Sequence, residues 1–225
     1  MTNIENLLYS IYLKSSGDGL IVPKNLFDEF LSECEKISHK PMHNILDLKQ
    51  QQQFNKKLKG DLFEEFCVSY LKNVKNYNNV WLLKNVPNNI LELLSLKRRD
   101  MGIDIIVEHN NLFYAVQCKY KHNGKCVSWK TLSTFYALCL RITLFEKYIV
   151  MTNCNYVSNK TNKTNKDISI CLQSFKNISS DDWLKMCNKT GQILDNSLGV
   201  GSLQMTSTKQ ISKEELRLLR LNKYC

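Results

Sequence analysis

The chain has 225 residues, 43% of them hydrophobic, and a formal net charge of +10. That length buries one full core with an appendage, no apolar run is long enough to span a membrane, and the basic excess suits a polyanionic partner. No signal peptide opens the sequence, and its nine cysteines include no CxxC pair and fall partly inside apolar patterns (Cys67, Cys118, Cys139), which points to a reduced, intracellular protein rather than a secreted one.

Residues 1–55 carry two amphipathic stretches, 4–13 and then, beyond Pro23, Leu26, Phe27, Phe30, Leu31, Cys34 and Ile37 at helical spacing. They predict a helical N-terminal extension. The glutamine run at 50–53 reads as a helix face or a linker. A helix from Gly60 follows, with Phe63, Phe66, Cys67, Tyr70, Leu71 and Val74 in one apolar stripe. At about 100° per residue, Glu64 falls at the edge of that stripe, toward the sheet, and Glu65 nearly opposite its centre, in water.

A strand is expected at 80–84, and two more at 102–108 and 112–120, both rich in β-branched or aromatic residues. Asn110-Asn111 between them tolerates positive φ, so a two-residue turn pairs His109 with Leu112. Counting back along both strands, Asp104 faces Gln117 with Cβ atoms about 5 Å apart. Side chains alternate, so Lys119 shares the Gln117 face while Val116, Cys118 and Tyr120 take the other. An acid, an amide and an ammonium converge. The plainer alternative is a structural ion pair beside a solvated glutamine.

Lys97, Arg98 and Arg99 just before this hairpin, and Lys121, His122, Lys125 and Lys130 just after Lys119, cluster basic charge around it, as phosphate contacts require. The spacing of Cys118, His122 and Cys126 is a poor zinc site, because Cys118 faces away from Lys119 and residues 122–125 read as a turn. Further along, a helix starts from an N-cap at Ser128, a strand spans 148–153, and a Thr-Asn-Lys-rich loop at 155–166 leads to a strand at 168–172. Residues 56–178 thus read as an α/β core with a mixed sheet flanked by helices. Residues 179–225 read as a helical tail, with a short helix from Ser180, a joint at 199–202 and a capping box opening at Ser212.

The elements Asp100-Met101-Gly102-Ile103-Asp104 and Gln117-Cys118-Lys119, preceded by Gly60-Asp61-Leu62-Phe63-Glu64, resemble the Mrr-like branch of the PD-(D/E)xK nucleases over residues 58 to 175. One departure is the lysine-rich loop after the 148–153 strand, where that family has a short motif leading into a helix. The resemblance implies a restriction-endonuclease-like core and a Mg²⁺- or Mn²⁺-dependent DNA endonuclease. Phosphodiester cleavage builds negative charge on oxygen, which a hard divalent cation with oxygen ligands stabilises. Asp104 would anchor the ion, Gln117 offer its amide oxygen, Cys118 its backbone carbonyl, and Glu64 bind directly or through water. Lys119 would orient or help deprotonate the attacking water. DNA is the expected partner, with a homodimer and a separate helicase or other DNA-processing chain as further expectations, since no Walker motif is present. A junction-resolving or repair nuclease shares this core; a DNA-binding module that does not cut would keep the basic surface alone.

Overall fold

The computed structural model describes residues 3–17, 25–38, 47–98, 102–121, 124–158 and 165–188, all within a compact unit that spans Met1–Thr190. Arg99, Asp100, Met101, His122 and Asn123, residues 159–164 of the Thr-Asn-Lys loop, and the expected joint and capping box near the C-terminus lie outside the described residues.

The hairpin forms in the expected register. β2 (Ile105–His109) and β3 (Leu112–Lys119) run antiparallel, pairing His109 with Leu112 and Ile105 with Val116. Asn110 and Asn111 turn the chain at φ 52° and 61°, the left-handed pair that a primed two-residue turn requires. β1 (Asn79–Leu82) adds antiparallel to β2. β5 (Phe145–Thr152) and β7 (Asp167–Ile170) extend the other side in parallel, giving a mixed five-stranded sheet in the order β1-β2-β3-β5-β7. A short parallel pair, β4 (Cys126–Val127) with β6 (Tyr156–Val157), lies just beyond the ends of β3 and β5 in sequence. Three strand ends fall two or more residues short of expectation: the strand expected from 102 begins only at Ile105, Leu83–Asn85 is a 3-10 turn, and α6 (Leu172–Lys176) begins where the 168–172 strand was expected to finish. α4 (Asn88–Leu93), entered through Pro87, was not foreseen; six residues are too few to show a helical period.

Helices cover both faces of the sheet. On one face, α1 (Ile4–Gly17), α2 (Leu26–Ser38), α3 (Leu48–Asn73) and α7 (Ser180–Met186) share one apolar cluster with Ile105, Val107, Val116, Cys118, Ile149 and Met151. On the other, α4 and α5 (Trp129–Arg141) pack on Ile106, Phe113, Ala115, Tyr148 and Val150. The strict alternation of partners along β3 and β5 is why both strands are apolar nearly throughout. α3 begins at Asp47, whose carboxylate accepts from the Lys49 amide at 3.0 Å, so the glutamine run lies in its first turns and the boundary expected at residue 55 falls inside one continuous helix. Trp183, expected in a tail, is fully buried and donates its indole N–H to the Leu8 carbonyl at 3.0 Å.

The first core centres on Phe66, whose ring lies 5.2 Å from Phe27, 4.6 Å from Phe30, 5.4 Å from Phe175 and 6.0 Å from Trp183. Those rings come from α2, α6 and α7, so one side chain ties a helix near the start of the described chain to two near its end. Phe66→Ala should therefore lower the unfolding free energy by about 3–5 kcal/mol in a denaturant titration.

Candidate functional site

The hairpin brings three of the expected residues into direct contact. Asp104 stands one residue before β2, and its backbone is fixed from both sides: its N–H donates to Val116 O at 2.9 Å and its carbonyl accepts from Leu83 N at 2.8 Å. Its carboxylate Oδ2 accepts from the Cys118 amide at 2.6 Å and from Gln117 Nε2. The same Nε2 also reaches the Cys118 carbonyl at 3.3 Å. Gln117 is buried, with 3% of its surface exposed, so it is not the solvated strand glutamine of the plainer alternative.

Gly102 lets this arrangement close. It holds φ +99°, and a Cβ there would meet the Phe135 amide nitrogen of α5 at 3.2 Å. A side chain would be strained at that φ and would push α5 away from the segment leading to Asp104.

Lys119 is half-buried at the end of β3. By alternation along the strand it takes the Gln117 face. Its carbonyl accepts from Thr152 Oγ1 at 2.7 Å, and Asn153 clamps the next turn by accepting from Lys121 N and donating to Lys121 O, each at 2.8 Å. Thr152 and Asn153 escaped the sequence reading, although a threonine closing the apolar run of β5 was a usable sign of a buried hydroxyl with a structural partner. Glu64 comes from α3, on the opposite face of the sheet. Burial pushes the Cys118 thiol well up, and the neighbouring Cys67 thiol with the Asp104 and Glu64 charges adds to it, which places Glu64 within electrostatic reach of this strand end. A thiol held protonated is a poor metal donor, so Cys118 has its carbonyl to offer.

Oxygen is thus the donor atom of the cluster. Gln117 Nε2, a hydrogen-bond donor, sits between Asp104 Oδ2 and the Cys118 carbonyl, the two oxygens expected to ligate an ion. Turning the amide over would set its oxygen against both, an arrangement that a cation between them would make favourable. Among the described residues no three His, Cys, Asp or Glu side chains form a metal cluster, so a cation here would draw on the amide and the carbonyl as well as on carboxylates.

The basic residues divide into two kinds. Lys97, Lys125 and Lys130 are exposed. Arg98 is exposed as well but donates to Lys84 O at 2.7 Å and Asn88 Oδ1 at 2.6 Å, and Lys121 donates its ammonium to Cys126 O at 3.0 Å, so both already brace loops.

Glu65 corrects the helical-phase expectation. It is half-buried and lines a cavity of about 220 Å³ between α1, α3 and β1, with Ile4, Val68 and Trp81 among its neighbours. Helical phase separates only the side of α3 toward the sheet from the side away from it, whereas α1 and the edge strand cover a second side of the helix. Burial pushes the Glu65 carboxyl up, Asp61 adding to the shift and Lys84 opposing it. A carboxyl whose folded pKa exceeds its unfolded one stabilises fully at acid pH, and that contribution is lost as pH rises through the folded value. Glu65→Gln should accordingly melt above the parent near neutral pH, and the difference should close below the usual carboxylate range, as thermal unfolding at several pH values would register.

Residues 71–192 match the Mrr_cat_2 family, described as restriction endonuclease. No curated protein and no solved structure matches the chain. The matched stretch begins at Leu71, so it contains the Asp104 hairpin and α5 while Glu64 and helices α1 and α2 precede it. With a mixed sheet between helical layers and an acid-amide-lysine hairpin at one end of it, the chain belongs to the Mrr_cat_2 restriction endonuclease family and has the restriction-endonuclease-like α/β fold.

Proposed function

We propose that the protein is a divalent-metal-dependent DNA endonuclease that hydrolyses phosphodiester bonds, with Mg²⁺ or Mn²⁺ as its ion. The observation that carries this is the Asp104 carboxylate gathered with the Gln117 amide and the Cys118 backbone, one residue before Lys119. When bound, such an ion stabilises charge on the phosphate oxygens and acidifies an attacking water. Asp104, the Gln117 amide oxygen and the Cys118 carbonyl would hold it, and Glu64 would reach it directly or through water. Lys119 orients the water, takes part in its deprotonation and balances the charge that develops on phosphate. Lys97, Lys125 and Lys130, exposed on a chain of net charge +10, supply contacts to the DNA backbone. Arg98 has donors left over for the same purpose, and Arg99, Lys121 and the rest of the basic cluster support it by charge. A second copy of the chain to cut the opposite strand, and a separate motor or DNA-processing chain, belong to the same proposal, as does a place of action inside the cell.

The experiment is conversion of supercoiled plasmid to nicked or linear DNA with Mg²⁺ or Mn²⁺, with and without a chelator. Parent protein should cut only with the ion, and Lys119→Ala should cut about a hundredfold or more slowly. DNA binding without metal-dependent cutting would instead favour a non-cutting binding module, a reading supported by the lack of a three-carboxylate cluster among the described residues.

Asp104→Asn should abolish cutting while leaving DNA binding equal or tighter, because the change deletes a ligand and also removes repulsion toward phosphate. Gel-shift titration beside the plasmid assay separates the two effects. Gln117→Glu adds a carboxylate without changing length, so half-maximal cutting should need less Mg²⁺ than in the parent. An unchanged metal requirement would remove Gln117 from the ion's surroundings.

A further inference from the structure

We infer that the helices preceding the matched domain act on the nuclease site through a side-chain clamp in which Glu35 of α2, Lys59 of α3 and Tyr120 are positioning residues for Lys119. The inference rests on the role given to Lys119 above. Tyr120 directly follows Lys119 and turns to the other face of the sheet, where its hydroxyl donates to Glu35 Oε1 at 2.9 Å. Lys59 donates to the second oxygen of the same carboxylate at 3.0 Å and lies 6.0 Å from the centre of the Tyr120 ring. The Lys59 side chain is only 12% exposed and that of Glu35 26%, so the pair is shielded from the solvent that weakens surface ion pairs. The Tyr120 ring packs edge-on against Phe63 at 5.9 Å, and Phe63 is the residue before Glu64.

The clamp therefore grips the residue after Lys119 and the residue before Glu64 at once. Thr152 holds the Lys119 carbonyl from the adjacent strand. With Thr152 on one side and Tyr120 on the other, the last residue of β3 is restrained where a free strand end would fray. A general base or water-orienting amine depends on such restraint, because a displacement of about 1 Å can cost on the order of a hundredfold in rate. None of α1, α2 or the clamp's Glu35 and Lys59 falls within the matched residues 71–192, so this is a contribution of the extension to a site that lies mostly outside it.

The test uses the full chain with Tyr120→Phe, which removes one oxygen and keeps the ring against Phe63, and with Glu35→Ala and Glu35→Gln. Single-turnover cutting at saturating Mg²⁺ should slow about tenfold or more in Tyr120→Phe and Glu35→Ala with DNA affinity unchanged, while Glu35→Gln, which keeps an oxygen for the phenol, should recover most of the rate. Amide hydrogen exchange should rise at residues 119–121 and stay at parent levels in the remainder of the sheet. Parent rates in Tyr120→Phe, or unchanged exchange at 119–121, would overturn the clamp while leaving the nuclease intact. A parent protein that cuts no DNA would overturn the nuclease assignment and the positioning role with it, and altered exchange would then mark the contacts as structural only.

Discussion

Everything at the candidate site depends on how the Asp104 carboxylate is held. Its backbone is bonded to the β3 strand on one side and to the turn after β1 on the other, and its Oδ2 receives two N–H donors from Gln117 and Cys118. Charge-assisted bonds of this kind are the strong ones, and a half-buried carboxylate without them would be costly. Asp104 is thus oriented before any ligand arrives, so a phosphate or a cation meets an acid that has little reorganisation left to undergo. The left-handed Gly102 and the turn at Asn110-Asn111 secure the two ends of the same segment.

Much of this was legible in the sequence. Asn110-Asn111 fixed the register because side-chain alternation has a period of two and the loop has two residues, so a one-residue slip would turn one strand's side chains to the opposite helical layer and take Asp104 out of line with Gln117. The apolar stripe through Phe63, Phe66 and Tyr70 likewise implied a helix against a sheet. What escaped the sequence reading were features that need a third dimension. Glu65 became half-buried because α1 and β1 close over it, and neither periodicity nor charge in α3 encodes that contact. Trp183 looked like part of a tail because its partner, the Leu8 carbonyl, lies at the other end of the chain. Thr152 and Asn153 sit at a strand end where their side chains bond backbone of a neighbouring strand, information that a single strand does not carry.

The two faces of the sheet divide the work. The face under α4 and α5 carries Gln117 by alternation, and α5 approaches Gly102 closely enough that a Cβ there would be crowded by the Phe135 amide. The opposite face brings α3 with Glu64, and with it the aromatic core around Phe66. Cys118 points into that aromatic core while its carbonyl and amide serve the Gln117 side, so one residue joins apolar packing to the polar cluster. Its thiol, together with that of Cys67, fills space at the floor of the site where a larger or charged side chain would force the strand and α3 apart.

The Asn110-Asn111 hairpin also bears on the order in which the molecule assembles. Asp104, Gln117, Cys118 and Lys119 all belong to one stretch of chain folded back on itself, so the loop closed to bring them together is short and its entropy cost small. Pairing of β3 with β5 and packing of α3 and α7 bring together residues much farther apart and form more slowly on that account. The polar centre can therefore take its register from a local turn before the helices that shelter it have docked. Damage to the outer layers would then cost the restraint on Lys119 and the dry surroundings that give the acid, amide and amine their strength, while the short loop that brings them together remains.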